Sequence, residues 1–270
     1  MSPITPGLGP GEPRRRWGPV LVVLVCAVGA GVLLLGHRAG WLPAAQDPGV
    51  RQGRLTVRAP TAQPVAGPSG LQRLGAVGAP GSLLYAPAPR GPAPRPLVVM
   101  FHGAGGAAEQ GLRLVRRQAD ARGTLVLSMK STRTTWDVIA GGGFGPDLER
   151  LQAALTYALT SYPVDPGRMA VGGFSDGASY ALSVGLTNGD LFGQVLAFSP
   201  GFIAAERHHG KPRIFISHGD QDTVLPIDQT SRRLVPRLRE EYVVEYVEFH
   251  GGHGVPADVA DRALRLWLPD

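Results

Sequence analysis

The sequence predicts an α/β fold: a mainly parallel β-sheet with helices on both faces. Three observations carry that expectation. From residue 96 onward, short apolar runs alternate with stretches whose apolar residues recur at helical spacing. Runs such as "PLVVMF" (96–101) and "GTLVLSM" are apolar almost throughout, the pattern of strands covered on both sides. Four runs are followed by loops rich in glycine or in polar turn residues: "HGAGG" (102–106), "GFSDG" (173–177), "HGDQDTVLP" (218–226) and "HGGHGVP" (250–256). In open α/β sheets chemistry collects at such carboxyl ends of strands.

Taken in order, the chain begins with a basic tail, residues 1–16, ending in Arg14-Arg15-Arg16. Residues 17–36 read as a membrane anchor. Gly18 to Gly36 carry no charged side chain, and at about 1.5 Å per residue such a helix approaches the ~30 Å hydrocarbon layer. Secretory apolar cores run only about 7–15 residues, so the length favours an uncleaved anchor. "VGA" at 28–30 offers a cleavage site, in which case the domain is secreted. The arginines place the N-terminus in the cytoplasm and the rest of the chain outside it. Residues 37–80 are rich in Pro, Ala and Gly and read as a tether. "RLTVRA" and "SLLYA" are short candidates for edge strands opening the folded domain, which is assigned to 81–270.

Within that domain the strand "PLVVMF" is followed by an amphipathic stretch near 108–121, then by "GTLVLSM". Residues 147–162 place Leu148, Leu151, Leu155 and Leu159 at helical spacing. "VDPGRMAVGG" leads into a third strand and "SDGASYALSVGLTN" into a helix of small residues. "GQVLAFS", "PRIFISHG" and "VVEYVEFH" are further strands, with helices near 228–240 and 256–267.

The net charge of +6 comes from scattered arginines, with only Lys130 and Lys211 as lysines. A nucleic-acid surface asks for a dense basic stripe with interleaved aromatics, so nucleic acid is not an expected partner. The single cysteine, Cys26, excludes an intrachain disulfide.

The chemistry is concentrated in Gly173-Phe174-Ser175-Asp176-Gly177, a G-x-S-x-G where a strand gives way to a helix. A serine there sits on a sharp, strained turn, and glycines on either side remove clashes with the adjoining strand and helix. The helix start directs N–H groups and positive partial charge toward the hydroxyl. A serine nucleophile needs a base, and the base needs an orienting carboxylate. Downstream, "HGDQDTVLP" offers Asp220 and Asp222, and "HGGHGVP" offers His250 and His253. Asp222, deeper in its loop, is preferred over Asp220, which is assigned to bracing the turn. His253, between glycines that let the loop fold over the sheet, is preferred over His250 beside the strand.

From about residue 82 to 268 the chain resembles the α/β-hydrolases, and within them the phospholipase/carboxylesterase branch and the polyhydroxybutyrate-depolymerase-like esterases. "LVVMFHGAGG", "DPGRMAVGGFSDGASYAL", "FISHGDQDTVLP" and "GGHGVP" carry the resemblance. It implies an α/β-hydrolase fold and a Ser175, Asp222, His253 triad. By analogy with the His-Gly loops of esterases, the N–H groups of Ala104 and Asp176 form the oxyanion hole. The expected reaction is hydrolysis of a small to medium carboxylic ester through an acyl-enzyme, with no cofactor, no metal and no obligate protein partner.

Many hydrolases insert a helical cap where this chain has only "SPGFIAAERHHGKP", so an open cleft without a large lid is expected. One wall is assigned to the loop at 131–147, with Trp136 and Phe144 touching the substrate; Trp136 serves equally well as a packing residue. Gly103, Gly105 and Ala108 also fit a dinucleotide fingerprint, but the next strand ends "LSMKST" without the acid that holds a ribose. His208-His209 lack metal-site spacing. Two other activities fit the same residues: a non-catalytic hydrolase-fold binding module at the membrane, and a serine peptidase.

Overall fold

A computed structural model describes residues 48–269 apart from 59, 61–63, 65 and 66. The basic tail, the anchor expected at 17–36 and residues 37–47 of the tether lie outside the described residues.

In chain order the elements are α1 (Pro48–Arg51), β1 (Gly70–Arg73), β2 (Leu83–Ala86), β3 (Arg95–Phe101), α2 (Ala108–Arg122), β4 (Leu125–Met129), α3 (Asp137–Ala140), α4 (Pro146–Ser161), β5 (Val164–Phe174), α5 (Asp176–Thr187), β6 (Gln194–Phe198), β7 (Arg213–Gly219), α6 (Ser231–Arg239), β8 (Val244–Phe249) and α7 (Ala257–Trp267). The strands form one eight-stranded sheet in the order β1-β2-β4-β3-β5-β6-β7-β8. β3 through β8 run parallel, and β2 is antiparallel to both its neighbours. This is the α/β-hydrolase fold.

Strand periodicity builds the two layers. On β3, Leu97, Val99 and Phe101 face one way with Leu125, Leu127 and Met129 of β4, against Leu148, Leu151 and Leu155 of α4 and Tyr180 and Val184 of α5. Val98 and Met100 face the other way with Val126, Ala170 and Phe215, against Leu112 and Val115 of α2 and Val259, Ala263 and Leu264 of α7. The central strands are therefore covered on both faces. β8, at the sheet edge, is only half buried.

"SLLYA" forms β2, but the sheet edge is taken by β1, and the described residues of "RLTVRA", 54–58, make no strand. Residues 48–58 differ more from the loose tether expected there. Val50 and Leu55 are buried in the core. The Leu55 N–H donates to Asn188 Oδ1 at 2.9 Å, and Asn188 Nδ2 donates to the Gly53 carbonyl at 2.8 Å. The two core side chains and the pairing with the end of α5 together hold this stretch. Residues 199–212 cross from β6 to β7 without a helix, so no cap is inserted there.

Candidate active site

Ser175 caps α5 at φ 57° and ψ −122°, a strained backbone for a residue with a Cβ. The turn that imposes this conformation is tight. A Cβ on Gly173 would lie 2.3 Å from the Gly177 carbonyl oxygen, and one on Gly177 would lie 2.3 Å from the Phe101 oxygen and 2.5 Å from that of His102. Each obstacle is backbone and cannot swing aside. The Ser175 N–H donates to the Phe198 carbonyl at 2.9 Å, fixing the turn onto β6.

Three strand ends meet here. β7 and β8 pair up to Gly219 and Phe249, and their ladder continues beyond the sheet: Asp220 N–H donates to Phe249 and Gln221 N–H to Gly251, both at 2.9 Å. The loops carrying Asp222 and His253 therefore leave side by side. His253 Nδ1 lies 2.6 Å from Asp222 Oδ2, and His253 Nε2 lies 2.9 Å from Ser175 Oγ. The Phe174 ring packs on the imidazole, with centroids 4.8 Å apart.

Asp222 is enclosed by donors. Its Oδ1 accepts the N–H groups of Val224 (2.9 Å) and Leu225 (2.8 Å). Burial pushes its carboxyl up, but the Leu225 N–H, His253 and the Val224 N–H outweigh this and hold it below its ordinary range. A second imidazole faces the same carboxylate: His218 Nε2 is 3.1 Å from Asp222 Oδ2 and 2.8 Å from the Leu225 carbonyl, while Nδ1 meets Ser231 Oγ at 2.7 Å. Two acceptors at Nε2 place the proton there, with Nδ1 accepting from the hydroxyl. Burial lowers the pKa of this ring, consistent with a neutral imidazole.

Opposite Ser175, β3 and β5 are in register at Phe101 and Gly173, so residues 102–104 and 174–176 leave the sheet as neighbours. A side chain on Gly103 would touch Ser175 Cβ at 3.4 Å. The Gly103 N–H is held by Gln110 Oε1 at 3.0 Å, and the Gly105 N–H by the Thr134 carbonyl at 2.8 Å. Between them, the Ala104 N–H has no acceptor among the described residues, and neither has the Asp176 N–H at the start of α5. His102 is buried; its Nδ1 donates to the Gly103 carbonyl at 2.6 Å and its Nε2 accepts the Ser131 N–H at 3.1 Å.

Of the two residues expected to touch substrate, Trp136 takes its packing role and Phe144 is partly exposed. Trp136 is only 1% exposed, stacked on Tyr180 at 4.9 Å and edge-on to Phe101, with Nε1 donating to the His102 carbonyl at 2.9 Å. It is a core residue under the loop, because an indole with its single donor satisfied by backbone packs best inside. Phe144 is half-buried against Gly53 and Tyr180. Asp220 accepts the Gly251 N–H at 3.0 Å and meets His250 Nδ1 at 3.2 Å, bracing the β7 and β8 turns.

Sequence reasoning missed His218, Thr134, Thr135 and the buried pair Asp137 and Asp147. His218 opens the "HGDQDTVLP" loop, four residues before Asp222, and its place on the last turn of a buried strand was the available signal. Nothing in the local sequence marks the other four.

Residues 143–256 match the phospholipase/carboxylesterase family. An acetylxylan esterase of Coprinopsis cinerea is 35% identical over 106 residues, which are 36% of this chain; the chain spans only 28% of that relative. Among solved structures, a thermostable esterase superposes with a TM-score of 0.58 at 20% identity, over 69% of this chain and 58% of the other. A Bacillus cereus carboxylesterase gives 0.55 at 20% identity, over 69% and 92%. A phospholipase/carboxylesterase of Dyadobacter fermentans gives 0.52 at 18% identity, over 77% and 100%. These structures share the fold of this chain.

Proposed function

We propose that this α/β-hydrolase cleaves small to medium carboxylic esters through an acyl-enzyme on Ser175. One observation carries the reading: the His253 ring bridges the Ser175 hydroxyl at 2.9 Å and the Asp222 carboxylate at 2.6 Å. Asp222 accepts from Nδ1–H, which leaves Nε2 as the lone-pair nitrogen facing the serine. His253 takes the serine proton as Oγ attacks the ester carbonyl, and Asp222 steadies the imidazolium. The oxyanion lies between the N–H groups of Ala104 and Asp176. His253 then hands its proton to the departing alcohol. A water activated by the same imidazole releases the acid and restores the serine.

The family match and the acetylxylan esterase relative support an ester over an amide, and a short acyl group. The crossing at 199–212, which has no helix, supports an open cleft for a medium-sized alcohol. Residues 17–36 anchor the enzyme in the membrane with its catalytic domain outside the cytoplasm; retention in the membrane fraction with the domain open to added protease checks this.

A fluorophosphonate probe is the direct test. Labelling of the wild type, with none of Ser175→Ala, is the expected result, together with p-nitrophenyl acetate or butyrate turnover that declines on long acyl chains. A folded wild type that neither labels nor turns over refutes the reading and makes the chain a binding module.

A further inference from the structure

The two N–H groups assigned to the oxyanion come from different loops, and one short segment after β4 ties both. Its Thr134 carbonyl accepts the Gly105 N–H at 2.8 Å, one peptide beyond Ala104. Its Thr135 hydroxyl donates to the Asp176 carboxylate. On either side, Ser131 N–H and Trp136 Nε1 hold the ring and carbonyl of His102, at 3.1 and 2.9 Å.

The segment is itself anchored from behind. The Asp147 carboxylate accepts the N–H groups of Thr132 (2.6 Å) and Asp137 (2.9 Å). The Asp137 carboxylate accepts those of Val138 (2.8 Å), Gly145 (2.8 Å) and Asp147 (3.0 Å). A loop fixed this densely presents the Thr135 hydroxyl at a set position.

The position matters because the residue directly after the nucleophile is an acid. Asp176 offers its N–H where negative charge develops, yet its own side chain is an anion next to that charge. A carboxylate free to rotate toward the acyl oxygen would oppose the oxyanion in a low-dielectric site. A hydroxyl donating to it is a charge-assisted bond that fixes its rotamer.

We propose that Thr135 is a positioning residue for ester hydrolysis: by binding the Asp176 carboxylate it keeps that anion on the 131–137 segment and the Asp176 N–H trained on the oxyanion. The inference rests on the ester-hydrolase reading above. Thr135 touches neither substrate nor the reacting atoms and acts only through Asp176.

The test compares Thr135→Val, which keeps the shape and removes the hydroxyl, with Thr135→Ser, which restores it, using p-nitrophenyl acetate. Expected are a roughly 10-fold lower kcat for the valine variant with KM within about twofold, and near wild-type turnover for the serine variant. Thermal midpoints of both should match the wild type. Asp176→Asn removes the charge but keeps the N–H, so adding Thr135→Val to it should cost little further. Additive losses in that double variant, equal losses in the valine and serine variants, or an unchanged valine variant would each overturn the proposal while ester hydrolysis stands. If Thr135→Val does not fold, Thr135→Ala takes its place: a roughly 10-fold loss of kcat that shrinks to within about twofold on the Asp176→Asn background is expected, and an equal loss on both backgrounds overturns the proposal. A wild type without esterase activity defeats both readings together.

Discussion

Asp222 shows how much one carboxylate can control. Its Oδ1 is occupied by two backbone N–H groups and its Oδ2 by the imidazoles of His253 and His218. In Asp222→Asn the amide oxygen keeps the backbone donors, so the NH₂ turns toward His253 and donates to Nδ1. The imidazole proton then sits on Nε2, which can no longer accept from Ser175. The expected result is a kcat lower by about 10³–10⁴-fold with KM close to wild type, and a modestly lower thermal midpoint because the NH₂ group also faces the His218 Nε2–H. Steady-state kinetics beside a melting curve check it; a loss under about tenfold would mean that the carboxylate does not set the tautomer. Ser175, Asp222 and His253 were readable as a set because turn geometry, chain order and glycine flanks all constrain them. Thr135 and His218 were not, since each acts through a contact that exists only once distant strand ends meet.

At the scale of elements, the loop between β4 and α4 is where pH should be felt. Burial, and then the neighbouring Asp147 carboxylate, push the Asp137 carboxyl up to about 6, although the N–H groups of Asp147, Gly145 and Val138 pull it back. The Tyr180 hydroxyl lies buried near both carboxylates, and burial, then Asp137 and Asp147, make it harder to ionise. A carboxyl that is harder to ionise folded than unfolded binds more protons in the folded state between its two pKa values. Stability from this group is therefore present in acid and lost as pH rises from about 4 through about 6. Asp137→Asn cannot titrate, and it gives up one acceptor. Its deficit against the wild type should be largest near pH 4 and shrink by about 1–3 kcal/mol by pH 7. Carboxylates held low, such as Asp222 and Glu248, are common to both proteins and cancel in the difference. Chemical denaturation at several pH values reads it, and parallel profiles would show that Asp137 ionises as freely folded as unfolded. The strands around this loop were legible because both their faces are apolar. α3 and β1 were not: four residues each, with no periodicity of their own, they take their shape from Asp137, Asp147 and the β2 edge.

For the whole molecule, the open question is where the folding unit starts. Composition placed that start at residue 81, since Pro, Ala and Gly dominate before it. The compact unit instead takes in the described residues from Pro48 onward. The stretch at 48–58 contributes two core side chains, Val50 and Leu55, and a two-pronged Arg54–Asp190 pair at 2.9 and 2.8 Å. It also supplies Gly53, whose α-carbon lies under the Phe144 ring. Its signal in the sequence is faint because two buried side chains in a Pro- and Gly-rich run do not register as a pattern. Energetically the same two are substantial: fully burying a Val or Leu contributes about 1.5–3 kcal/mol. The surface ion pair adds at most about 1 kcal/mol. Set against the entropy of ordering the stretch, that gain still favours the longer chain, so a chain of residues 60–270 should unfold at a lower urea concentration than one of 46–270. Removing the stretch also uncovers Phe144 and strips Asn188 of both its partners in it, leaving a buried amide half satisfied. Urea unfolding of the two chains under the same conditions measures the difference through the midpoint, provided the slopes agree. Coincident midpoints would mean that residues 48–58 ride on the domain without supporting it, and that the fold begins, as composition suggested, with β2.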